Sequence, residues 1–283
     1  MNTGFPSDCI SSHRCQTMNK TQSQLFLRKV RVALTPRSVL LRTRLENGAI
    51  IEAYNRSGYG GRGAYIFGDS LEPELFSLQH FLAAGHVFVD VGANVGLFTV
   101  KAAKQVGNDG LVIAIEPFIE TALRLTNNVR ANGFTNVRVR TFCVGSDTQQ
   151  TRLHLNQGKP NSFSLVARGN AESISVLSVS LDDLCRWEGL KRLDYLKIDA
   201  EGAEAAVLEG AREAISRFRP IVQVEVTICQ STLSLNYRRF TAPASMNNVF
   251  IPAENLKAVE TAMKLGWVEI GLGQQLRAAG STE

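Results

Sequence analysis

The ten residues from Val87 to Gly96, V-F-V-D-V-G-A-N-V-G, constrain the fold more than any other part of the chain. Val87 to Val91 form a nearly unbroken apolar run that carries one acid, Asp90. A run of this kind predicts a strand buried on both faces, as in a parallel sheet. It stops at Gly92, and Leu97 to Val106 then reads as a helix. Strand, glycine turn and helix make the opening unit of a nucleotide-binding α/β sheet. Small residues in the turn let a ligand lie against the backbone, and the helix start offers free N–H groups.

The spacing is D-x-G-x-N-x-G, with Asn94 in the turn and no third glycine at the dinucleotide spacing. A pyrophosphate cofactor, and with it a dinucleotide-dependent oxidoreductase, is disfavoured. The pattern suits a ligand with an amino-acid end and an adenosine end, namely S-adenosylmethionine (SAM). A second buried strand, Leu111 to Ile115, closes on Glu116-Pro117, 26 residues after Asp90. An acid at that strand tip can accept both ribose hydroxyls of a nucleoside. Asp90, Gly92, Asn94, Gly96 and Glu116 are therefore the candidate cofactor residues. Asp147, in the turn after the third strand, is a sixth candidate, for the adenine amine, although a plain turn aspartate accounts for it equally well.

The remaining strands and helices alternate in the same way. Helices are expected over Leu71–Ala84 (capped by Asp69 or Ser70), Ile119–Ala131, Leu181–Gly189 (capped by Ser180), from Glu204 to about Phe218, and Ala253–Leu265. Strands are expected over Asn136–Val144, Leu193–Asp199, Pro220–Val226, Asn248–Pro252 and Gly266–Ile270. With the first two they make a seven-stranded, mostly parallel, Rossmann-like α/β sheet. The third strand alternates Val and Arg, so it belongs near an edge. Thr151–Leu155 and Ser162–Ala167 read as an inserted hairpin, and residues 227–247 read as irregular. Upstream, Leu25–Leu34 predicts an amphipathic helix and Val39–Tyr54 a hairpin turning at Asn47-Gly48. A glycine-rich loop is expected over Arg56–Gly63. The resulting domains are a disordered polar and basic arm (1–24), a helix-plus-hairpin extension (25–68), the α/β domain (69–275) and a flexible tail (276–283).

Charge is distributed unevenly. Residues 1–45 hold eight Lys/Arg and one acid, whereas the remainder is slightly acidic. The α/β body is thus no polyanion binder, and nucleic acid is not an expected partner. The basic arm reads most simply as a solvated segment, with nucleic acid, anionic lipid or an acidic protein as its possible contacts. Five scattered cysteines without a C-x-x-C point to reduced thiols and a cytoplasmic location. No stretch approaches the length of an apolar membrane span.

In open parallel sheets, ligands sit beyond the carboxyl ends of the strands. Those ends carry Asp90, Glu116, Asp147, Asp199 with Glu201, and Glu225. No Ser-His-Asp or Cys-His pattern accompanies them, so covalent catalysis has no support. The segment L-K-I-D-A-E-G-A-E (196–204) is the richest in carboxylates. Glu201 is the preferred proton acceptor there, Asp199 the second candidate and His154 on the inserted hairpin a reserve. Glu204, in a helical first turn, is explained by the helix dipole. A divalent ion on Asp199, Glu201 and Glu225 is a minority reading, and no metal is expected.

Taken together, D-V-G-A-N-V-G, I-E-P, L-K-I-D-A-E-G-A-E and P-I-V-Q-V-E-V resemble the FkbM-type methyltransferases, with flanking likeness at L-E-P-E (71–74) and N-N-V-F-I-P (247–252). The resemblance implies a class I, SAM-dependent methyltransferase fold. It implies methyl transfer to a hydroxyl of a sugar or natural-product small molecule. Asp90, Gly92, Asn94, Gly96 and Glu116 would hold SAM, and Asp199 and Glu201 would flank the methyl. The family often has a His after the fifth strand's Glu; here Thr227 follows Glu225-Val226. The rival from another class is a non-catalytic SAM- or nucleoside-binding regulatory or assembly protein, which would need no acid at Glu201.

Overall fold

The computed structural model describes residues 20–56, 61–155, 163–164, 173–225 and 236–271. In chain order the N-terminal part comprises α1 (Lys20–Leu34), the strands β1 (Leu40–Arg44) and β2 (Ile50–Tyr54), and the short helices α2 (Gly61–Phe67) and α3 (Pro73–Ser77). The body follows with β3 (Val87–Val91), α4 (Leu97–Val106), β4 (Leu111–Ile115), α5 (Ile119–Ala131) and β5 (Val137–Arg140). Next come β6 (Cys143–Gly145), β7 (Gln149–Leu155), β8 (Phe163–Ser164), β9 (Ser173–Ser180) and α6 (Leu181–Trp187). The last third holds β10 (Tyr195–Ile198), α7 (Glu204–Glu209), α8 (Arg212–Phe218), β11 (Ile221–Val224), β12 (Tyr237–Thr241), β13 (Asn248–Pro252), α9 (Leu256–Lys264) and β14 (Val268–Ile270).

One sheet of eight strands, ordered β14-β12-β13-β11-β10-β3-β4-β5, organises the body. From β11 to β5 every pairing is parallel, and β13, β12 and β14 are joined antiparallel. This is the mostly parallel α/β sheet that the motifs imply, with β3 central and β5 at an edge. The strand beyond the expected seven is β12, which lies in the stretch read as irregular. Its sequence, Y-R-R-F-T, hides a buried pattern: Tyr237, Arg239 and Phe240 are all buried.

Two apolar layers sandwich the sheet. Phe88, Val112, Tyr195 and Ile221 point to the face covered by α4 and by the hairpin β1–β2. Val89, Ile113, Leu196 and Val222 point to the face covered by α6, α7 and α8. Burial on both faces is why these strands read as continuous apolar runs. The predicted hairpin is present, and it is docked on the body. Asn128 accepts from the Glu52 N–H at 2.9 Å, and Asn132 accepts from Ile50 at 2.7 Å.

Several local expectations are corrected. The polar arm does not extend to residue 24, because α1 begins at Lys20. The glycine-rich loop gives way to α2 at Gly61. The single helix over 71–84 is instead two 3-10 turns flanking α3, since Pro73 has no N–H to continue an earlier turn. Asp69 is not its cap. It accepts from the Glu46 N–H at 2.8 Å and forms an ion pair with Lys101, both side chains being fully buried. The third strand splits after Arg140: Cys143–Gly145 leaves the sheet and pairs with β9. The helix after β10 breaks at Gly210 into α7 and α8. Ser180 does cap α6, accepting from the Asp183 N–H at 3.1 Å.

Candidate active site

The carboxyl ends of β3, β4 and β10 border an open cleft of about 700 Å³. Gly92, Asn94 and Glu116 line one side of it, and Asp199, Ala200 and Glu201 line another. Phe142, Cys143 and Leu153 supply an apolar wall. That mixture of carboxylates, bare backbone and an apolar wall suits a small-molecule ligand.

The first turn is fixed by the fold before any ligand arrives. Gly92 has φ +74°, and a Cβ there would fall 1.8 Å from the Asp199 carbonyl oxygen. Gly96 has φ +92°, and a Cβ there would fall 2.3 Å from Leu125 Cδ1 on α5. Asn94 also takes a left-handed conformation, φ 51°, with its Oδ1 accepting from the Val95 N–H at 2.8 Å. Asparagine tolerates that conformation because its side chain can bond locally.

Glu116 is the best defined cofactor candidate. Its Oε2 accepts from the Asn94 N–H at 2.9 Å, and its Oε1 accepts from the Phe118 N–H at 3.0 Å. Each oxygen keeps a lone pair for a further donor. Burial pushes its pKa up to about 7, against the pull of those two backbone donors. A carboxyl held this way gains from hydroxyl donors supplied by a ligand. Asp90 stands behind the cleft wall and is fully buried. Its Oδ2 accepts from Thr99 Oγ1 at 2.6 Å, and burial raises its pKa. It shapes the turn from below, as Gly96 does from the α5 side; neither lines the cleft. Asp147 lies outside the lining too: it is exposed and accepts from its neighbour Ser146 at 2.7 Å. Phe142, Cys143 and Leu153, which sequence reasoning missed, line the cleft where Asp147 does not. Residue type gave no signal for Phe142 and Cys143, because Asn136–Val144 reads as one strand and the break after Arg140 appears only in the pairing.

On the opposite side, Lys197 is the residue that the motif reading passed over. It pairs in register with Asp90 across β10 and β3, so both side chains share a face. Its Nζ lies 3.2 Å from Asp199 Oδ2 and 3.7 Å from Asp90 Oδ1, and 5.0 Å from the Phe98 ring centre. Burial opposes its charge, but Asp199, Asp90 and Glu72 outweigh burial, so its pKa is raised above the ordinary lysine value. Glu72, from the L-E-P-E run, thus joins this cluster. Burial lifts its pKa as well, countered by Lys197. A lysine inside a buried strand, two residues from a strand-end acid, was the signal for this cluster.

Asp199 does not cap the next helix; its side chain is turned to Lys197 and to Glu225. Glu204 braces the turn instead, its Oε1 accepting from the Ala200 and Gly202 N–H groups at 3.1 Å each. This agrees with the structural role expected for Glu204. Glu201 is exposed on the cleft rim with φ 51°. Glu225 directly follows β11 and is close enough to Asp199 for the two charges to act on each other. Burial, and then the charge of Asp199, raise its pKa to about 7. His154 is on β7, half-buried and off the cleft lining. Thr227 and its missing histidine lie outside the described residues.

Comparison with known proteins bears on this geometry. The Methyltransferase FkbM domain family matches residues 90–240, more than half of the chain. Among curated proteins, the AMB antimetabolite synthetase AmbE of Pseudomonas aeruginosa is 26% identical over 199 residues, covering 56% of this chain. The match spans 9% of that synthetase's length. Among solved structures, the methyltransferase FkbM of Methylobacillus flagellatus KT is similar over 69% of this chain and 55% of its own, with 19% identity and a TM-score of 0.44. A SAM-dependent methyltransferase of Aquifex aeolicus is similar over 54% of this chain and 61% of its own, with 18% identity and a TM-score of 0.31.

Proposed function

The chain belongs to the FkbM methyltransferase family, and from that premise we propose that it methylates a hydroxyl group on a sugar or natural-product small molecule. SAM is the cofactor of this methyltransferase family. When bound, it supplies an electrophilic methyl group on a sulfonium. The residues present suit it. Glu116 offers two part-satisfied oxygens to a ribose diol, the Gly92–Asn94 turn presents bare backbone to the amino-acid end, and Phe142, Cys143 and Leu153 face an adenine.

The observation that carries the O-methylation reading is the carboxylate group beside the cleft, with Asp199 lining it, held by Lys197 at 3.2 Å, and its charge acting on Glu225. An alcohol must lose a proton as its oxygen attacks, and Glu225, with its pKa raised to about 7, suits the final acceptor of that proton. Asp199 Oδ accepts the hydroxyl proton and shares it with Glu225. Lys197 holds Asp199 in place, and Glu201 on the rim orients the acceptor. Aligning the hydroxyl with the methyl group supplies several kcal/mol of the rate enhancement. The unpaired, buried thiols Cys143 and Cys185 accord with the reducing cytoplasm.

The test is transfer of radiolabelled methyl from SAM to a panel of hydroxylated acceptors, in wild type and in Asp199→Asn. Label on oxygen in an accepted compound, lost in the variant while SAM still binds, supports the reading. SAM binding with no turnover on any hydroxyl, amine or thiol acceptor would favour the non-catalytic alternative. Label on nitrogen or carbon would overturn the hydroxyl assignment.

A further inference from the structure

We propose that α1 lies in the surface of an anionic membrane and attaches the enzyme there peripherally. α1 has one face fixed to the protein. Val32 is buried against Leu41 and Tyr65, Arg28 donates to the Tyr65 carbonyl at 3.2 Å, and Asn55 donates to the Val32 carbonyl at 2.8 Å. The opposite face is apolar and, among the described residues, exposed: Phe26, Leu27 and Leu34 are 58%, 64% and 81% exposed. With Val30 they recur at 26, 30, 34 and at 27, 34, which is one stripe of a helix. Phe67 at the end of α2 is also exposed and lies beneath Lys29, so the patch continues past α1. Scattered exposed apolar residues need no account, but a contiguous stripe on an anchored helix does.

The occupant is identified by charge. Between Ser23 and Arg44 stand Arg28, Lys29, Arg31, Arg37, Arg42 and Arg44, and no acid at all. Beyond residue 45 the chain is slightly acidic. Of these cations, Lys29 and Arg31 are exposed on α1 and flank the stripe, whereas Arg28 is turned to the protein and Arg42 is paired with Glu52 at 3.2 Å. A second copy docked on this face would bring the two sets of cations together, which disfavours a homodimer. An apolar stripe flanked by Lys and Arg is the pattern of a helix lying at the headgroup level of anionic lipid. At 15 residues α1 is too short to span a bilayer, and no helix among the described residues is long and apolar enough to do so. A free phosphate would engage the cations and leave the stripe unused, so lipid accounts for more of the surface.

The experiment is flotation of the full chain with phosphatidylcholine vesicles containing roughly one third phosphatidylglycerol. Vesicles of phosphatidylcholine alone, salt at about 0.5 M, and the variants Leu27→Glu/Leu34→Glu and Lys29→Glu/Arg31→Glu serve as comparisons. All four side chains are exposed, so thermal midpoints are expected to stay within about 3 °C of wild type. The expected result is flotation with anionic vesicles that falls at least about tenfold in high salt and in each double variant. The absence of flotation with anionic vesicles would overturn the proposal. So would flotation indifferent to Leu27→Glu/Leu34→Glu. A dimer by gel filtration that the same variant dissociates would assign the face to a second copy and equally overturn it.

Discussion

Two carboxylates, buried Glu116 lining the cleft and the more exposed Glu225 beside Asp199, both have a pKa raised to about 7, yet their settings are opposites. Glu116 is bounded by backbone: its two oxygens accept from Asn94 and Phe118, in a turn that Gly92 and Gly96 lock by steric contact. Glu225 is bounded by other acids, with Asp199, Glu201 and Glu204 each raising its pKa after burial. On the proposed reading, the donor half of the site is a rigid mould for hydroxyl donors. The acceptor half is a charge network in which each group's state depends on its neighbours, with buried Lys197 as its cation.

This contrast predicts that substitutions will act differently on the two halves. In the acceptor half, Asp199→Asn is expected to lower turnover about 10²–10³-fold while changing SAM affinity less than about threefold. Single-turnover kinetics beside calorimetry checks this, and equal losses in both would merge the two halves. In the donor half, Gly92→Ala meets the Asp199 carbonyl and a positive φ at once. It is expected to destabilise the fold by about 2–3 kcal/mol, lowering the melting midpoint by about 6–10 °C. A midpoint unchanged in a thermal melt would mean that the turn is less constrained than its contacts imply.

The pH profile separates the halves further. Glu225 must be unprotonated to take the hydroxyl proton passed on by Asp199, so turnover at saturating SAM is expected to rise with pH and level off above about 7. Glu225→Gln should remove that inflection with a loss of about tenfold at the plateau, measured by initial rates across pH. The smallest effect is expected for Asp147→Ala. Its side chain is exposed and bonded only to its neighbour Ser146, so SAM affinity should move less than about twofold.

The same contrast governs what was legible. The donor half is local in sequence: strand, glycine turn, and an acid one strand on, and each piece has a steric or hydrogen-bonding reason visible in residue type. The reason for the glycines is more internal than a ligand argument implies, since Gly92 meets Asp199 and Gly96 meets Leu125. The acceptor half assembles Glu72, Asp90, Lys197, Asp199 and Glu225 from four separate segments, so no window contains it. Lys197 was hidden because a lysine inside a buried strand runs against the usual pattern, and only the register with Asp90 accounts for it. β12 was hidden for a similar reason. Arg239 is buried within it, with its Nε donating to Asn248 Oδ1 at 2.8 Å, and arginines at that density read as surface. Asp147 was legible as a strand-end acid; it is exposed and follows β6, whose Cys143 and Val144 line the cleft, without lining the cleft itself.

The central claim is that Glu116 is the buried acid that receives the cofactor. Calorimetric titration of SAM into wild type and Glu116→Ala, at pH values on either side of 7, tests it directly. Donors from a ribose favour the charged carboxylate, so its pKa falls on binding and a proton is released. Affinity should therefore rise with pH and level off above about 7. The account predicts this linkage in wild type and an affinity at least about 100-fold weaker, or roughly 2.7 kcal/mol, in the variant. Tight binding by Glu116→Ala, with the same pH dependence, would contradict it.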